Sequence, residues 1–472
     1  MKKDTANYSL LRDQVIKKYP DLQKIVQVIN THNGKALLVG GAVRDLLRTN
    51  TIDQIKDLDI EVYGLTFEQL ESILRTFGPV RLAGKSFGVL MIDGLPFDWS
   101  IPRSDSAGRK PTVELDPYLS YEKAFARRDV TINAIGLDLT SGELIDPFNG
   151  LHDLQKGILR TPSAQRFVED PLRLYRVMQF IGRFEMQPDA QLNEVCKKME
   201  VEGVSRERIE QEIHKLLLLS KKPALGLRWL HTIGRLKDLL PEIAELELVP
   251  QEKKWHPEGD VLEHSLQALD AAAVIAQQYT NNKDKLILLY AALFHDIGKK
   301  ETTKHTSTGL HSYGHAEVGA RKTRAILARI EGDKEIIKTV CKLVNYHMMP
   351  LQFIKSRAGI SAYKRLALKL MPETSIEMLV NLSYADRRGR NEARNQPLTT
   401  EQPDLEQFLA QAHKANVQQG PEKPILQAQD LLDVVSPGPQ LGQLLKKAYQ
   451  IQIDEGVTDP EILKQRVLNN KE

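Results

Sequence analysis

The sequence predicts an α/β domain, a small mixed sheet with helices, followed by an all-α neck and body and a second all-α domain. Three observations carry that expectation. A length of 472 residues calls for several domains rather than one. Short apolar or alternating runs, the mark of strands, are confined to the first 150 residues. Beyond them apolar residues recur at helical spacing.

The elements follow in order. Leu10, Leu11, Val15, Ile16, Leu22, Ile25, Val26 and Ile29 predict one amphipathic helix over residues 5–30. Ala36–Val39 is short, apolar and stopped by Gly40-Gly41, which reads as a buried strand entering a tight turn, with a helix starting at Val43. Leu58–Tyr63 alternates apolar and acidic residues, as a half-buried strand does. Val89–Ile92 and Pro96–Ile101 flank Asp93-Gly94 and read as a strand pair across a tight turn. Residues 165–250 read as helices. A proline-rich patch from Val249 to Pro257 separates them from a second helical block, which holds half of the chain's twelve histidines. Residues 396–425, polar and rich in Gln and Pro, read as a linker or loose helices before a last helical piece. The expected domains are an N-terminal helical extension (1–35), an α/β domain (36–150), a helical neck and body (151–250), a histidine-rich helical domain (258–395) and a linker with a C-terminal helical segment (396–472).

Bulk chemistry narrows the setting. The chain has 65 basic and 62 acidic residues, a net charge of +3, which neither demands nor excludes a nucleic-acid partner. Only Cys196 and Cys341 are present, so disulfides do not organise the fold and a reducing cytoplasm is the expected compartment. Met1–Asp4 has no apolar run behind it, and no stretch approaches the roughly 20 apolar residues of a membrane helix, so no membrane partner is expected.

Five short segments carry the first chemistry: Gly40–Asp45, Asp57–Asp59, Arg127–Ala134, Asp146–Gly150 and Glu169–Arg176. Carboxylates at i and i+2 on a strand share a face, so Asp57 and Asp59 can hold a divalent metal together. Asp98, on a neighbouring predicted strand, is a candidate third carboxylate. A strand, two glycines and a helix start let backbone N–H groups approach phosphate. Arg44 and Arg128 suit phosphate because a guanidinium offers a planar fork of donors. Taken singly, each segment reads more simply as a turn, a solvated strand end or a solvated basic patch.

In this order the segments resemble the class II tRNA nucleotidyltransferase and bacterial poly(A) polymerase superfamily over residues 36–250. The resemblance implies a nucleotidyltransferase-type head with Asp57 and Asp59 as ligands of Mg²⁺. It implies nucleotide contacts by Gly40, Gly41, Arg44, Arg128, Asp129, Asn133, Arg173 and Arg176, with Asp170 and Arg173 reading the base edge of C or A. The expected partners are therefore CTP, ATP and the 3′ acceptor end of tRNA. Gly84-Lys85-Ser86-Phe87 carries Ser where the poly(A) branch has a second basic residue, which favours CCA addition. A specialised CC-adding or A-adding enzyme and a poly(A) polymerase are the alternatives, and monomer and homodimer are both compatible with the sequence.

The second constellation is His264, His295-Asp296, His315, His347 and Asp386. Imidazole and carboxylate together suit transition-metal centres. Leu293–Lys299 resembles the H-D-x-G-K pattern of HD-type metal-dependent phosphohydrolases, with Lys299 placed to neutralise a phosphate. The resemblance implies a metal such as Ni²⁺ or Mn²⁺ on His264, His295, Asp296 and Asp386, with His315 and His347 at a second metal. Lys254–Asp260 and Ala385–Arg390 extend the likeness to multifunctional bacterial CCA-adding enzymes, whose HD domain carries 2′,3′-cyclic phosphodiesterase, 2′-nucleotidase and phosphatase activities. Arg387, Arg388, Arg390 and Arg394 are expected at a solvated helix end, with RNA backbone contact as the alternative. Gln429–Gly442 resembles a C-terminal helical segment of long family members, and no chemistry is assigned to it.

Overall fold

The computed structural model describes residues 8–53, 55, 57–83, 88–105, 113–307, 309–392 and 401–469. The Gly84–Phe87 segment and Arg394 lie outside the described residues. The chain divides into two compact units, residues 1–204 and 205–472, so the division falls inside the segment read as neck and body.

The first unit is built on a seven-stranded sheet. Its strands are β1 (Lys35–Val39), β2 (Leu58–Tyr63), β3 (Val80–Ala83), β4 (Val89–Ile92) and β5 (Phe97–Ser100), then β8 (Gly136–Asp138) and β9 (Leu144–Ile145). A separate two-stranded ribbon, β6 (Arg103–Asp105) and β7 (Val113–Leu115), lies between them in sequence. The sheet order is β3-β4-β5-β2-β1-β8-β9. β2 and β5 are parallel, and every other neighbouring pair is antiparallel. The expected β4–β5 pair across Asp93-Gly94 forms.

β1 and β2 are covered on both faces. Leu38, Ile60 and Val62 join the larger core with Leu22, Ile25 and Ile29 of the helix Pro20–Thr31, while Leu37, Val39 and Tyr63 pack with Phe125 and Ala134. β2 is therefore not the half-buried strand its alternation suggests: Glu61 is 1% exposed because it points into the second face. The single helix expected over 5–30 is two helices, Ser9–Lys18 and Pro20–Thr31. Pro20 lacks the N–H that would continue the first helix, and Tyr19 before it takes φ −126°, ψ 78°.

The second unit is almost wholly helical. The helices that carry its chemistry are Arg206–Leu219, Val261–Ile275, Asn282–Phe294, His315–Ile330, Lys334–Tyr346 and Ile376–Arg388. A small hairpin, Lys304–Thr306 with Gly309–His311, interrupts them. The polar stretch read as a linker contains the helix Pro403–Lys414, which buries Leu405, Phe408 and Ala412. The tail folds Leu426, Leu431, Val435, Leu441, Ala448 and Val467 into a core of its own. Among the described residues, no helix is long and apolar enough to cross a membrane.

Candidate functional site

The parallel register of β2 and β5 sets Asp59 directly opposite Asp98, and Asp57 stands one residue before β2. Partial desolvation raises the Asp59 carboxyl above its ordinary range; repulsion from Asp98, Asp57 and Glu61 adds to this against the attraction of Arg128. Asp98 is raised too, by burial and then by Asp57. Carboxylates crowded in this way gain most when a divalent cation joins them.

Gly40 closes β1 over this group with φ 73°. A Cβ there would lie 2.9 Å from an Arg128 Nη and 3.7 Å from an Asp59 oxygen, so a side chain would fill the space between acid and guanidinium. The helix Gly41–Thr49 starts at this point and aims its N-terminal N–H groups toward it.

A buried chain of polar groups fixes the arginines. Arg44 donates from Nη1 to Asn133 Oδ1 at 2.6 Å and from Nε and Nη2 to the Asp45 carboxylate, both at 2.9 Å. Asn133 Nδ2 donates to Asp129 Oδ1 at 2.8 Å, and Arg176 Nε donates to Asp129 Oδ2 at 2.6 Å. Burial alone would raise Asp129, but Arg176, Asn133 and the Val130 N–H bring it down to about 2. Phe184 and Phe180 floor the group, with the Arg44 guanidinium 4.7 Å from the Phe184 ring and Arg176 5.4 Å from Phe180.

Arg173 donates to the carbonyls of Arg166 (2.5 Å) and Arg127 (2.6 Å), which ties the helix Leu172–Phe184 to the Arg127–Asn133 segment. Asp170 accepts from the Leu172 N–H at 3.1 Å. Asp146 caps the helix Gly150–Lys156 by accepting from Gly150 and Leu151, so this fourth segment buttresses rather than touches the carboxylates. Sequence reasoning missed Glu61. It accepts from the Tyr63 hydroxyl at 2.6 Å and from Arg127 at 3.2 Å, and lies 3.8 Å from Arg128, so it anchors both arginines. The signal was present in the i, i+2 spacing that continues from Asp59.

In the second unit the structure gathers all six predicted ligands. Asp296 lies at their centre. Its Oδ2 is 3.2 Å from His295 Nε2 and 3.5 Å from His264 Nε2, and its Oδ1 is 3.3 Å from His315 Nε2 and 3.7 Å from His347 Nε2. Asp386 Oδ1 is 3.1 Å from His264 Nε2. Two ligand groups result, His264/His295/Asp386 and Asp296/His315/His347. All but Asp386 are buried.

The imidazoles are held in one tautomer. His295, His315 and His347 donate from Nδ1 to the carbonyls of Ala292 (2.8 Å), Ser312 (2.6 Å) and Val344 (2.7 Å), and His264 Nδ1 faces Glu258 Oε1 at 2.7 Å. The Nε2 lone pairs of His295, His315 and His347 therefore point inward, and the pairs His264–His295 and His315–His347 approach to 3.1 Å. Burial, then His315 and His295, hold His347 down at about 3, in the neutral form that binds metal. This donor set, neutral imidazole with carboxylate oxygen, fits a transition-metal ion.

The glycine of His295–Lys299 has a steric task. A Cβ on Gly298 would stand 2.2 Å from the His315 carbonyl, so only glycine lets that helix start reach Asp296. Lys299 pairs with Asp296 at 2.6 Å and donates to Gln251 at 2.7 Å. Glu258 and His256 were read in the sequence only as part of the Lys254–Asp260 likeness, with no role of their own. Glu258 sits between His256 and His264, which outweigh its burial and bring it down to about 2. Arg390 and Arg387 correct the expectation of a solvated basic helix end: Arg390 grips both oxygens of Asp386 at 2.6 and 2.8 Å, and Arg387 pairs with Asp404.

Comparison with known proteins agrees with this division. Residues 36–160 match the Poly A polymerase head domain and residues 261–387 match the HD domain. The chain is 32% identical to a multifunctional CCA protein of Mannheimia succiniciproducens, over 81% of this chain and 90% of that protein. It is 31% identical to one of Xanthomonas campestris pv. campestris, over 88% and 97%. A Thermotoga maritima CCA-adding enzyme, solved with tRNA, shares the fold with a TM-score of 0.62 at 20% identity, over 99% of both chains.

Proposed function

This chain belongs to the family of multifunctional CCA proteins, and on that premise we propose that it adds C, C and A to the 3′ end of tRNA from CTP and ATP, without a nucleic-acid template. The observation that carries the reading is the register of Asp59 with Asp98, beside Asp57 and beneath Gly40 and Arg128. In the reaction, the RNA 3′-hydroxyl attacks the α-phosphate and pyrophosphate leaves. Asp57, Asp59 and Asp98 would hold Mg²⁺, which when bound supplies charge neutralisation at the phosphates and acidifies the attacking hydroxyl.

The protein's own groups do the positioning. Gly40, Gly41 and the following helix start receive the triphosphate, since they present backbone N–H groups and positive potential with no side chain in the way. Arg44, Arg128 and Arg176 supply positive charge from places fixed by Asn133, Asp129 and Glu61. Arg173 spends two of its five N–H donors on carbonyls, which sets the plane of the guanidinium beside Asp170. Those two side chains then read the Watson–Crick edge of C or A, donors against acceptors.

For the HD centre we propose hydrolysis of phosphorylated RNA 3′ ends, including 2′,3′-cyclic phosphates. His264, His295, Asp296, Asp386, His315 and His347 would hold divalent transition metal, which when bound supplies an acidified water and a Lewis acid for phosphate. Lys299, paired with Asp296, neutralises phosphate charge. Arg390 holds Asp386 in place.

The test uses purified protein, Mg²⁺, CTP and ATP with three tRNAs, ending before CCA, after the first C and after CC. Completion of CCA on all three is expected. Extension to CC only, or of the CC-ended tRNA only, would identify a part-enzyme. Long A tracts would identify a poly(A) polymerase, and no incorporation would overturn the transferase reading.

A further inference from the structure

The second unit contains another group of metal-ligating side chains that neither reaction uses. Glu210 and His214 stand four residues apart on the helix Arg206–Leu219, so they project from one face. Glu331, the residue that ends the helix His315–Ile330, meets them there, its Oε2 2.8 Å from His214 Nε2. One ligand atom from each of the three lies within 4.8 Å of the other two. The Glu331 side chain is fully buried, and His214 is 26% exposed.

An independent observation points to the same place. Tyr290, on the helix Asn282–Phe294, is 1% exposed, and its hydroxyl has no hydrogen-bond partner of good geometry among the described residues. The charged groups that face it are Glu331 and Glu210, and its ring meets the His214 ring edge-on at 6.4 Å. A buried hydroxyl left unmatched costs about 1–3 kcal/mol, and the acceptor within its reach is Glu331, whose carboxylate has to turn toward it to complete the bond. Two carboxylates in close approach add a second cost. Burial raises Glu210, and the neighbouring Glu331 pushes it further up against the opposing Gly332 N–H.

We propose that Glu210, His214 and Glu331 form a structural site for a zinc-class divalent ion, separate from the HD centre, with the Tyr290 hydroxyl donating to a ligating carboxylate. One imidazole nitrogen and two carboxylate oxygens are a ligand set that zinc accepts, and an i, i+4 pair on a helix presents two of them without rearrangement. The hydroxyl then becomes the outer donor that orients a ligand. The site has a mechanical sense. It joins the helix Arg206–Leu219 to the far end of the helix that begins with His315, against the helix whose end supplies His295 and Asp296. An ion there braces two of the helices that position the hydrolase ligands.

The experiment is metal content and zinc titration of the full-length protein, alone and with one HD ligand removed from each group (His264→Ala with His347→Ala). The HD-depleted protein is expected to keep one zinc per chain and a zinc-dependent rise in Tm. Adding His214→Gln should remove that zinc and that rise. Glu210→Gln keeps the shape of the side chain and should weaken zinc binding at least tenfold while leaving the zinc-free Tm unchanged. No zinc in the HD-depleted protein, with the helical circular-dichroism signal of the parent retained to show that the second unit is folded, would overturn the proposal. So would equal zinc affinity in the parent and both variants: the cluster would then be a proton-sharing carboxyl pair with a charged His214.

Discussion

Replacing Asp129 by Asn keeps the volume of the side chain and removes the charge on which the nucleotide-side arginines converge. The two carboxylate oxygens have separate duties: Oδ2 accepts from Arg176 at 2.6 Å, and Oδ1 accepts from Asn133 and from the Val130 N–H, both at 2.8 Å. An amide turned either way sets its NH₂ against one of those donors. The carboxyl lies at about 2 instead of the usual 3.8, which corresponds to roughly 2–3 kcal/mol of preference for the ionised form. Removing one partner of a buried pair reaches about 3–5 kcal/mol, but Arg176 is 32% exposed and recovers some hydration, so the lower range applies. The sign follows from a depressed folded-state pKa. The stabilisation is fully present above about pH 4 and is lost as pH falls toward 2, so parent and variant differ most at neutral pH and converge in acid. Because the chain has two compact units, the assay is hydrogen exchange of amides in the helix Leu172–Phe184, read against pH, rather than one global melt. The expected result at pH 7 is a loss of about 2–3 kcal/mol of protection there, with kcat/KM for CTP and ATP falling because Arg176 and, through Asn133, Arg44 lose their seats. A variant within about 0.5 kcal/mol of the parent, with unchanged kcat/KM, would refute the account of this network.

Four further outcomes are expected. Asp59→Ala should reduce nucleotide incorporation to background while metal-free tRNA binding persists; retained incorporation would remove the proposed mechanism. Asp296→Ala removes the carboxylate that stands between the two HD ligand groups, so metal-dependent hydrolysis of 2′,3′-cyclic AMP should vanish with CCA addition unaffected, both read on the same preparation. Asp270, half-buried and pushed up by desolvation to about 7, favours its protonated form in the folded state, so its contribution is full below about pH 4 and is lost as pH rises to about 7. Asp270→Asn should therefore be more stable than the parent at pH 8, by up to about 4 kcal/mol, and equal at pH 4 in urea unfolding followed at the helix Ala224–Thr232, which Asp270 caps; a less stable variant at pH 8 would refute this. After stripping with a chelator, Mg²⁺ alone should restore nucleotide addition but not hydrolysis, and recovery of both with Mg²⁺ would contradict the donor chemistry of the HD centre.

What could be read from the sequence was whatever local spacing encodes. The i, i+2 acids, the Gly40-Gly41 stop and the His295-Asp296 doublet each carry their geometry in a few residues, and the structure brings every predicted HD ligand to one place. Asp98 was legible only as an acid on a neighbouring strand. That it faces Asp59 depends on β2 and β5 pairing in parallel, a long-range fact that no local pattern contains. Glu61 was hidden because alternation suggests one solvated face, whereas a second layer around Phe125 covers that face and turns an acidic strand residue into a buried anchor. Glu258 and Arg390 were hidden for a related reason. Each touches a ligand across an interval of sequence that periodicity does not bridge.

The transferase and HD metal centres are built on opposite electrostatic plans, and each plan suits its chemistry. In the first unit only oxygens converge, solvent reaches Asp57 and Asp59, and burial together with the neighbouring acids raises Asp59 and Asp98. Such a group holds a hard cation weakly by itself and gains when a triphosphate brings further negative charge and further oxygens, so ion and nucleotide are best bound together. In the second unit all the ligands but Asp386 are buried, and a carbonyl faces Nδ1 of His295, His315 and His347, so their Nε2 lone pairs have nothing to meet but another imidazole and Asp296 or Asp386. That arrangement costs energy whether or not substrate is present, and a resident transition metal relieves it. The difference lies in second neighbours rather than in the ligands themselves. Glu61 and Arg128 leave the carboxylates open to exchange, whereas Glu258, Arg390 and three backbone carbonyls fix the imidazoles and Asp386 before any ion arrives.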